Sequence, residues 1–267
     1  MPVDYHLHTR RCGHAEGDLA AYLAAASAAG LREVGFADHI PLYFLPRAAR
    51  DRSLAMGEEE LPLYVAEVEA LRAAHPGPSV RLGIEADYLP GYEKELARIL
   101  VAYPFDYVIG SIHYLDGWGF DNPEQVAGYE GRDPDELYRA YFALLERAAA
   151  SGLFDIIAHP DLIKKFGCRP AADPGPLYER AAAAFARAGV CVEVNTAGLR
   201  APAGEIYPAP RFLYACRRHG VPATIGSDAH HPGQVGAGLE VAVTLLKEAG
   251  YRQVATFHRR RRSFLSL

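Results

Sequence analysis

The chain alternates strand-like and helix-like segments along nearly its whole length, and this alternation restricts its fold more than any other feature. Strands that alternate with helices form a parallel sheet whose faces the helices cover. A length of 267 residues fits one α/β barrel domain spanning residues 1–267. The predicted strands are 3–9, 33–40, 80–89, 106–115, 155–162, 191–196 and 222–230, and the predicted helices are 17–30, 57–75, 91–102, 134–151, 174–189, 208–219 and 237–249.

Polar side chains end every predicted strand, although buried parallel strands are normally apolar throughout. Most of them come in pairs with i, i+2 spacing, which places both side chains on one face of the strand. If the sheet closes into a barrel, the carboxyl ends of all strands meet at one face, where these groups converge. Such a set is costly to bury unpaired, so metal binding explains it better than core packing. The pairs are His6 and His8, Asp38 and His39, Glu85 and Asp87, Ser111 and His113, His159 and Asp161, Glu193 and Asn195, and Asp228 and His230.

Nine of the residues in and around these strand ends are candidate metal ligands. They are His6, His8, His14, His39, Glu85, His113, His159, Asp228 and His230. A catalytic ion takes about three or four protein ligands and keeps a position for water, so nine ligands fit two or three divalent ions. The resulting positive cavity favours a phosphate group, and a hydroxide shared between ions is a nucleophile that can attack phosphorus at neutral pH. The ligand set therefore predicts metal-dependent phosphoester hydrolysis, without specifying the substrate.

Composition excludes several other classes of function. The net charge of −5 gives no basic excess that would indicate nucleic-acid binding, and the one basic run, 258–262, is interpreted as a solvated end. No apolar run approaches the roughly 20 residues that a membrane span requires. The four cysteines are widely separated and no signal peptide is recognisable, so we expect a cytoplasmic protein without disulfides.

The order of these motifs resembles the PHP (polymerase and histidinol phosphatase) superfamily over nearly the whole chain. The matching motifs are an H-x-H in the first strand, a following histidine, "ADH", a glutamate in strand three, single histidines in strands four and five, and "SDAH". This resemblance implies a distorted (β/α)7 TIM-like barrel that binds three ions of zinc, iron or manganese. It also implies that His6, His8, Glu85 and Asp228 hold one ion, that Glu85 bridges to a second ion on His113 and His159, and that His14, His39 and His230 hold a third.

Four flanking stretches are similar to one branch of this superfamily, the histidinol-phosphate phosphatases. They are "GIEADYLPGYE" (83–93), "IGSIHYLDGWGFD" (109–121), "AHPDLIKKFG" (158–167) and "EVNTAGLR" (193–200). The implied reaction is hydrolysis of L-histidinol phosphate to L-histidinol and phosphate in histidine biosynthesis. Three alternatives remain: another phosphoesterase of the superfamily acting on nucleotides or phosphotyrosine, a catalytically silent metal-binding module, and an amidohydrolase on a related barrel. The retention of every ligand argues against the silent module.

Roles outside the ligand set are hypotheses. Lys164 and Arg200 are favoured over Lys165 and Arg10 as the cation that binds the substrate phosphate. Acceptors for the substrate's ammonium and imidazole are expected at Asp161, Glu193 and Asn195, and Ser111 is a further candidate contact. Asp38 or Asp87 either orients a ligand histidine or protonates the leaving alkoxide. The residues expected to take part in catalysis are thus Asp228, Glu85 and Asp38, under a covering loop at 41–57.

Overall fold

A computed structural model describes residues 3–75 and 77–267. Seven parallel strands form one sheet in the order β1-β2-β3-β4-β7-β8-β9. The sheet closes because the amide of His8 donates to the carbonyl of Ala229 just beyond β9, and the amide of Ala229 donates to the carbonyl of His6. The predicted seven-stranded barrel is therefore confirmed. The strands of the described residues are β1 Val3–Leu7, β2 Glu33–Phe36, β3 Ser79–Asp87, β4 Tyr107–Ser111, β5 Tyr114–Leu115, β6 Trp118–Gly119, β7 Ile156–Ile157, β8 Cys191–Asn195, β9 Ala223–Gly226, β10 Gln253–His258 and β11 Arg261–Ser266.

Amphipathic helices follow the barrel strands and pack on the outer face of the sheet. In the longest helix, the side chain of Asp133 caps the first turn, and Pro134 occupies a position where its missing N–H costs nothing. The buried residues of this helix include Tyr138, Tyr141 and Leu145, at the i, i+3, i+7 spacing of one helical face. The helices are α1 Leu19–Ala28, α2 Leu61–Ala74, α3 Glu93–Val101, α4 Pro134–Ala150, α5 Gly175–Ala188, α6 Pro210–Arg218 and α7 Leu239–Glu248.

Three elements differ from the sequence prediction. The fourth predicted strand stops at Ser111, and the chain continues into the short β5–β6 hairpin. The fifth barrel strand is only two residues long, because the chain turns sharply at His159, whose φ is 24°. The basic run is exposed to solvent, as predicted, but it is not a loose end: it spans the turn of the β10–β11 hairpin, where Arg260 forms an ion pair with Asp155. Polar, exposed strand residues in β11 hide the period-2 signal that would have predicted this hairpin.

The covering loop predicted at 41–57 is ordered by a small apolar cluster of its own. Leu42, Phe44 and Ala55 pack together, separate from the main core. The Tyr43 hydroxyl donates to the backbone carbonyl of Asp87 at 2.7 Å, which ties this segment to the end of β3. We call residues 41–57 the covering segment. In the part of the chain that is described, no helix is long and apolar enough to cross a membrane.

Candidate metal centre

All nine candidate ligands lie together at the carboxyl ends of the barrel strands. Two of them, His159 and Asp228, have positive φ values of 24° and 55°, a backbone conformation that costs energy for residues with a Cβ atom. Strain of this kind persists only where the surrounding structure enforces it, and it is concentrated at functional sites. The local backbone at the ends of β7 and β9 is therefore bent to direct these side chains inward.

The first group of ligands surrounds the side chains of the H-x-H motif. His8 Nε2 lies 3.1 Å from Asp228 Oδ1, and His6 Nε2 lies 3.1 Å from Glu85 Oε2. One potential ligand atom from each of His6, His8 and Asp228 lies within 4.8 Å of the other two. Both histidines are fully buried. The i, i+2 spacing on the strand thus places the two imidazoles beside one possible ion position.

Glu85 separates two groups of histidines with its two carboxylate oxygens. Oε2 faces His6 on one side, whereas Oε1 lies 3.1 Å from His159 Nε2 and 3.6 Å from His113 Nε2 on the other. The hydroxyl of Ser111 donates to Oε1 at 2.5 Å and fixes the rotation of the carboxylate. This arrangement can bridge two cations.

The third group contains His14, His39 and His230. The Nε2 atoms of His14 and His230 are 3.0 Å apart. A ring nitrogen of His39 lies within 4.8 Å of ring nitrogens of both His8 and His230. His39 Nδ1 also lies 3.1 Å from Glu85 Oε2, so His39 stands between the third group and the bridging carboxylate. His14 and His230 are the more solvent-accessible side of the centre.

Unpartnered buried atoms show that this constellation fits metal ions. His6 Nε2, both ring nitrogens of His8 and Glu85 Oε2 are buried without a hydrogen-bond partner. Leaving one such group unsatisfied costs about 1–3 kcal/mol, more where the group is charged. Cations lying between these atoms, which face one another from different strands, would satisfy them together. Imidazole and carboxylate ligands suit zinc, iron and manganese.

Acceptors behind three of the candidate ligand imidazoles, those of His6, His113 and His14, set the tautomer of each ring. Their contacts with Nδ1 leave Nε2 free to bind a metal in these three rings. His6 Nδ1 donates to Glu193 Oε1 at 2.7 Å and His113 Nδ1 donates to Asp87 Oδ1 at 2.8 Å. His14 Nδ1 lies 2.9 Å from the carbonyl oxygen of Ser53 in the covering segment.

The carboxylates and imidazoles of the centre shift one another's pKa values. Burial lowers the pKa of His6, but Glu193, Asp228 and Glu85 together raise it well above its usual value. Burial likewise raises the pKa of Glu85, but the imidazoles of His39 and His6 bring it well below its usual value. His230 is different, since burial and the neighbouring His8 lower its pKa to about 3 and leave the ring neutral. Metal ions bind ionised carboxylates and neutral imidazoles, and they displace the proton of an imidazole that is still charged. The centre therefore attracts cations.

An open cavity of about 690 Å³ lies directly above the centre. Its floor includes Glu85, His113 and Asp228, and the covering segment and the β5–β6 hairpin form its walls. Its apolar side chains include Leu42, Leu54, Tyr114 and Leu162, and its charged side chains away from the floor include Asp51, Asp121, Glu124 and Lys165. The cavity therefore combines a cation-binding floor with walls that are partly apolar and partly acidic.

None of the predicted substrate contacts, which are Lys164, Arg200, Asp161, Glu193, Asn195 and Ser111, lines this cavity. Lys164 is 2% exposed, and its Nζ contacts Asp161, Glu205 and the carbonyl of Ile206 at 2.8–2.9 Å. Arg200 is exposed but donates to the carbonyl of Ser227 outside the cavity wall. The cation in the wall is Lys165, which donates to the backbone carbonyl of Asp121 at 2.8 Å.

The three predicted acceptors are also engaged elsewhere. Asp161 accepts from the amide of Ala209 and pairs with Lys164. Glu193 accepts from His6, from the amide of His159 and from Asn195 Nδ2, so Glu193 and Asn195 lie behind the ligands and not in front of them. These residues lie at or just after strand ends as predicted, but their hydrogen bonds and ion pairs are made to other parts of the protein and they do not line the cavity.

Asp38 and Asp87, which the sequence leaves as alternatives, differ in position. Asp38 is fully buried, accepts from the amide of His39 at 2.9 Å and is hydrogen-bonded by the Thr9 hydroxyl. Asp87 lines the cavity. Asp4 is a further residue of the centre that is absent from the predicted set: its carboxylate accepts from the amides of Ser227 and Gly236 and so holds the loop that carries Asp228. Asp4 stands two residues before His6, so the series Asp4, His6 and His8 on one face of β1 was a signal in the sequence that could have identified it.

Comparison with known proteins gives one family. The PHP domain model matches residues 4–197. A probable histidinol-phosphatase of Deinococcus radiodurans is 48% identical over 259 residues, which cover 96% of this chain and 97% of that protein. The histidinol-phosphatase of Bacillus subtilis is 28% identical over 262 residues, covering 89% of this chain and 96% of that protein. The structure of a Lactococcus lactis histidinol phosphate phosphatase, complexed with zinc, L-histidinol and phosphate, has the same fold, with a TM-score of 0.84, 24% identity and 98% coverage of each chain.

Proposed function

The chain belongs to the PHP domain family, and from this membership we propose that it is a metal-dependent phosphomonoesterase that hydrolyses L-histidinol phosphate to L-histidinol and phosphate. One observation supports this more than any other: seven histidines and two carboxylates converge, with unpartnered buried atoms, on the floor of an open cavity. The 48% identical relative named for this activity supports the substrate.

The proposed cofactors are three divalent ions of zinc, iron or manganese. His6, His8, Glu85 and Asp228 would hold the first, Glu85 with His113 and His159 the second, and His14, His39 and His230 the third. When bound, such ions supply a water-derived nucleophile at neutral pH and stabilise the negative charge of a phosphoryl group. The protein's part is to hold these ligands: Ser111 fixes the bridging carboxylate, and Glu193 and Asp87 fix the imidazoles behind it.

Substrate recognition is proposed to take place at the cavity walls. The apolar side chains of Leu54, Tyr114 and Leu162 offer a surface for the flat imidazole ring of the substrate. Asp121 and Glu124 offer acceptors for its ammonium group, in place of the buried acceptors at strand ends. Cavities of 300–1,000 Å³ are typical of small-molecule sites, and this one is within that range at about 690 Å³.

Proton delivery to the leaving alkoxide is proposed to come from Asp87 and not from Asp38. Asp87 lines the cavity beside the ligands, within reach of a bound substrate. Asp38 is enclosed by Thr9 and by the amide of His39, which leaves it no path to the substrate. Asp38 is therefore assigned the positioning of His8, whose Nδ1 is 3.5 Å from Asp38 Oδ1.

Other phosphoesterase activities of the same family are the alternative, because a nucleotide or phosphotyrosine would meet the same floor. The test is phosphate release by purified protein of known metal content, with L-histidinol phosphate, AMP, phosphotyrosine and an aryl phosphate as substrates. We expect kcat/KM for L-histidinol phosphate to exceed the others about 100-fold, which is about 2.7 kcal/mol in the transition state. Equal rates on all four would contradict the substrate and leave the metal centre standing.

The cellular setting is proposed to be the cytoplasm. All four cysteines are free, and three of them are buried. Unpaired cysteines of this kind are typical of a reducing compartment. The proposed partner is the small phosphate ester itself.

A further inference from the structure

We propose that Cys12 is an additional metal ligand beside His14 and His230, and that its thiolate gives this third position a preference for thiophilic ions such as zinc over manganese. This inference rests on the metal centre of the proposed function. It concerns a residue to which neither the ligand motifs nor the family resemblance gives a role.

The distances around Cys12 are those of a metal site. Its Sγ and one ring nitrogen each of His14 and His230 all lie within 4.8 Å of one another. In a tetrahedral zinc site, with bonds of about 2.0–2.1 Å to nitrogen and 2.3 Å to sulfur, neighbouring ligand atoms are roughly 3.3–3.8 Å apart. The observed spacing needs only small side-chain movements to reach these values. Cys12 itself is fully buried, so its thiol faces this group and not solvent.

The two imidazoles point to a cation independently of the thiol. His14 Nδ1 lies 3.1 Å from the carbonyl of Cys12 and 2.9 Å from that of Ser53, and His230 Nδ1 lies 3.1 Å from the carbonyl of Asp228. Each Nδ1 is therefore the donor, which leaves a lone pair on each Nε2. These lone pairs face each other across 3.0 Å, an arrangement that repels unless a cation lies beside both.

A buried, unpartnered side chain is aimed into the same place from below. Both ring nitrogens of His8 lack a hydrogen-bond partner, and His8 is 0% exposed. Cys12, His8 and Asp38 form a second, wholly buried group of potential ligands that shares the thiol with the first. The thiol thus lies within 4.8 Å of ligand atoms of His8 as well as of His14 and His230. The other three cysteines belong to no such group among the described residues.

The local chain is built to hold this thiol. Thr9 caps the short helical turn that ends at Cys12, and Gly13 then takes a φ of +87°. A Cβ at position 13 would lie 1.9 Å from the carbonyl oxygen of Arg52, so only glycine fits. This turn brings the thiol of Cys12 and a ring nitrogen of His14 within 4.8 Å of each other.

The charge balance of the third position favours a thiolate ligand. The first two ion positions have the carboxylates of Glu85 and Asp228, whereas the three imidazoles of the third are neutral ligands. A thiolate would supply the missing negative charge. It would also discriminate between ions, because soft sulfur ligands favour zinc and iron, whereas manganese prefers oxygen.

The test uses cobalt as a spectroscopic substitute for zinc in the full-length protein. A thiolate bound to Co²⁺ gives an intense charge-transfer absorption in the near ultraviolet, which nitrogen and oxygen ligands do not give. We expect this band in the wild-type protein and in Cys168→Ser, whose thiol lies outside the ligand groups, but not in Cys12→Ser. Competition with a chromophoric chelator should show zinc affinity at the weakest position reduced about 10-fold or more in Cys12→Ser, with manganese affinity unchanged.

Absence of the band in wild-type protein would overturn the proposal without any variant, which covers the case in which Cys12→Ser folds poorly. A weaker zinc affinity without a band would also overturn it, since that result assigns the thiol to hydrogen bonding behind the ligands. Neither readout depends on phosphatase activity. A failure of the proposed substrate therefore leaves this result interpretable, and a missing band leaves the proposed hydrolysis untouched.

Discussion

Replacement of Glu193 by glutamine tests whether the ligand histidines are held from behind by the barrel interior. Glu193 is 1% exposed, and its Oε1 accepts from His6 Nδ1 at 2.7 Å. Its Oε2 accepts from the amide of His159 at 2.9 Å and from Asn195 Nδ2 at 3.0 Å. In Glu193→Gln, one oxygen becomes an NH₂ group. That group must face either the ring N–H of His6 or the two donors on the other side.

The expected cost follows from these three hydrogen bonds. A hydrogen bond to a charged group contributes about 1.5–3 kcal/mol, and the variant opposes donor to donor in at least one of them. Loss of a partner behind a metal ligand typically reduces metal affinity about 10–100-fold, or about 1.4–2.7 kcal/mol. We therefore expect zinc to bind Glu193→Gln about 10–100-fold more weakly at the position of His6, with the secondary structure retained.

The measurement is competition for zinc between the metal-free protein and a chromophoric chelator. The matched control is Glu33→Gln, since Glu33 is a buried glutamate at the opposite end of the barrel, bonded to Arg81 and Tyr5. It should lower the free energy of unfolding but leave zinc affinity unchanged. Zinc binding by Glu193→Gln as tight as that of the wild type, or an equal loss in Glu33→Gln, would refute the reasoning.

His6→Ala should lose one bound ion per chain, measured by elemental analysis, together with most of the activity, while circular dichroism stays that of the wild type; full metal content would contradict the assignment. Lys164→Met should lower the midpoint of thermal unfolding, because two carboxylates lose their buried partner. Lys165→Met should chiefly raise KM, because Lys165 lines the cavity. The reverse pattern would exchange the roles of the two lysines. In the metal-free protein, burial lowers the pKa of His113 but Asp121, Asp87 and Glu85 raise it to about 10. The stability that the imidazolium contributes should therefore be complete below about pH 6.5 and lost toward pH 10, so that urea unfolding distinguishes wild type from His113→Gln at pH 6.5 and not at pH 10.

The set of candidate ligands was readable in the sequence because it depends on local rules. The i, i+2 spacing of His6 and His8 fixes their common face within a single strand. Parallel strands joined by helices present their carboxyl ends at one face whatever the details of packing. Residue type, strand order and strand polarity were therefore enough to predict the barrel and to collect the nine candidate ligands.

Which polar residue faces the cavity above the centre was decided by the tertiary structure alone. Lys164 and Lys165 are neighbours at the end of a 3₁₀ turn, where one residue rotates the side chain by about 120°. One lysine is consequently buried against Asp161 and the other lies in the cavity wall. Their sequence context is the same, so no local rule separates them.

The same distinction explains Glu193 and Asn195. The sequence places both on the inward face of β8, as the structure does, but the depth of an inward side chain depends on how the strands are staggered around the closed sheet. That stagger puts the Glu193 carboxylate within 2.7 Å of His6 Nδ1, behind the ligands and away from the cavity. The sequence by itself determined the chemistry of the centre, because residue type and strand polarity are local properties. Closure of the sheet alone decides which side chains face the cavity and which lie behind the candidate ligands, because the depth of each side chain depends on all seven strands together.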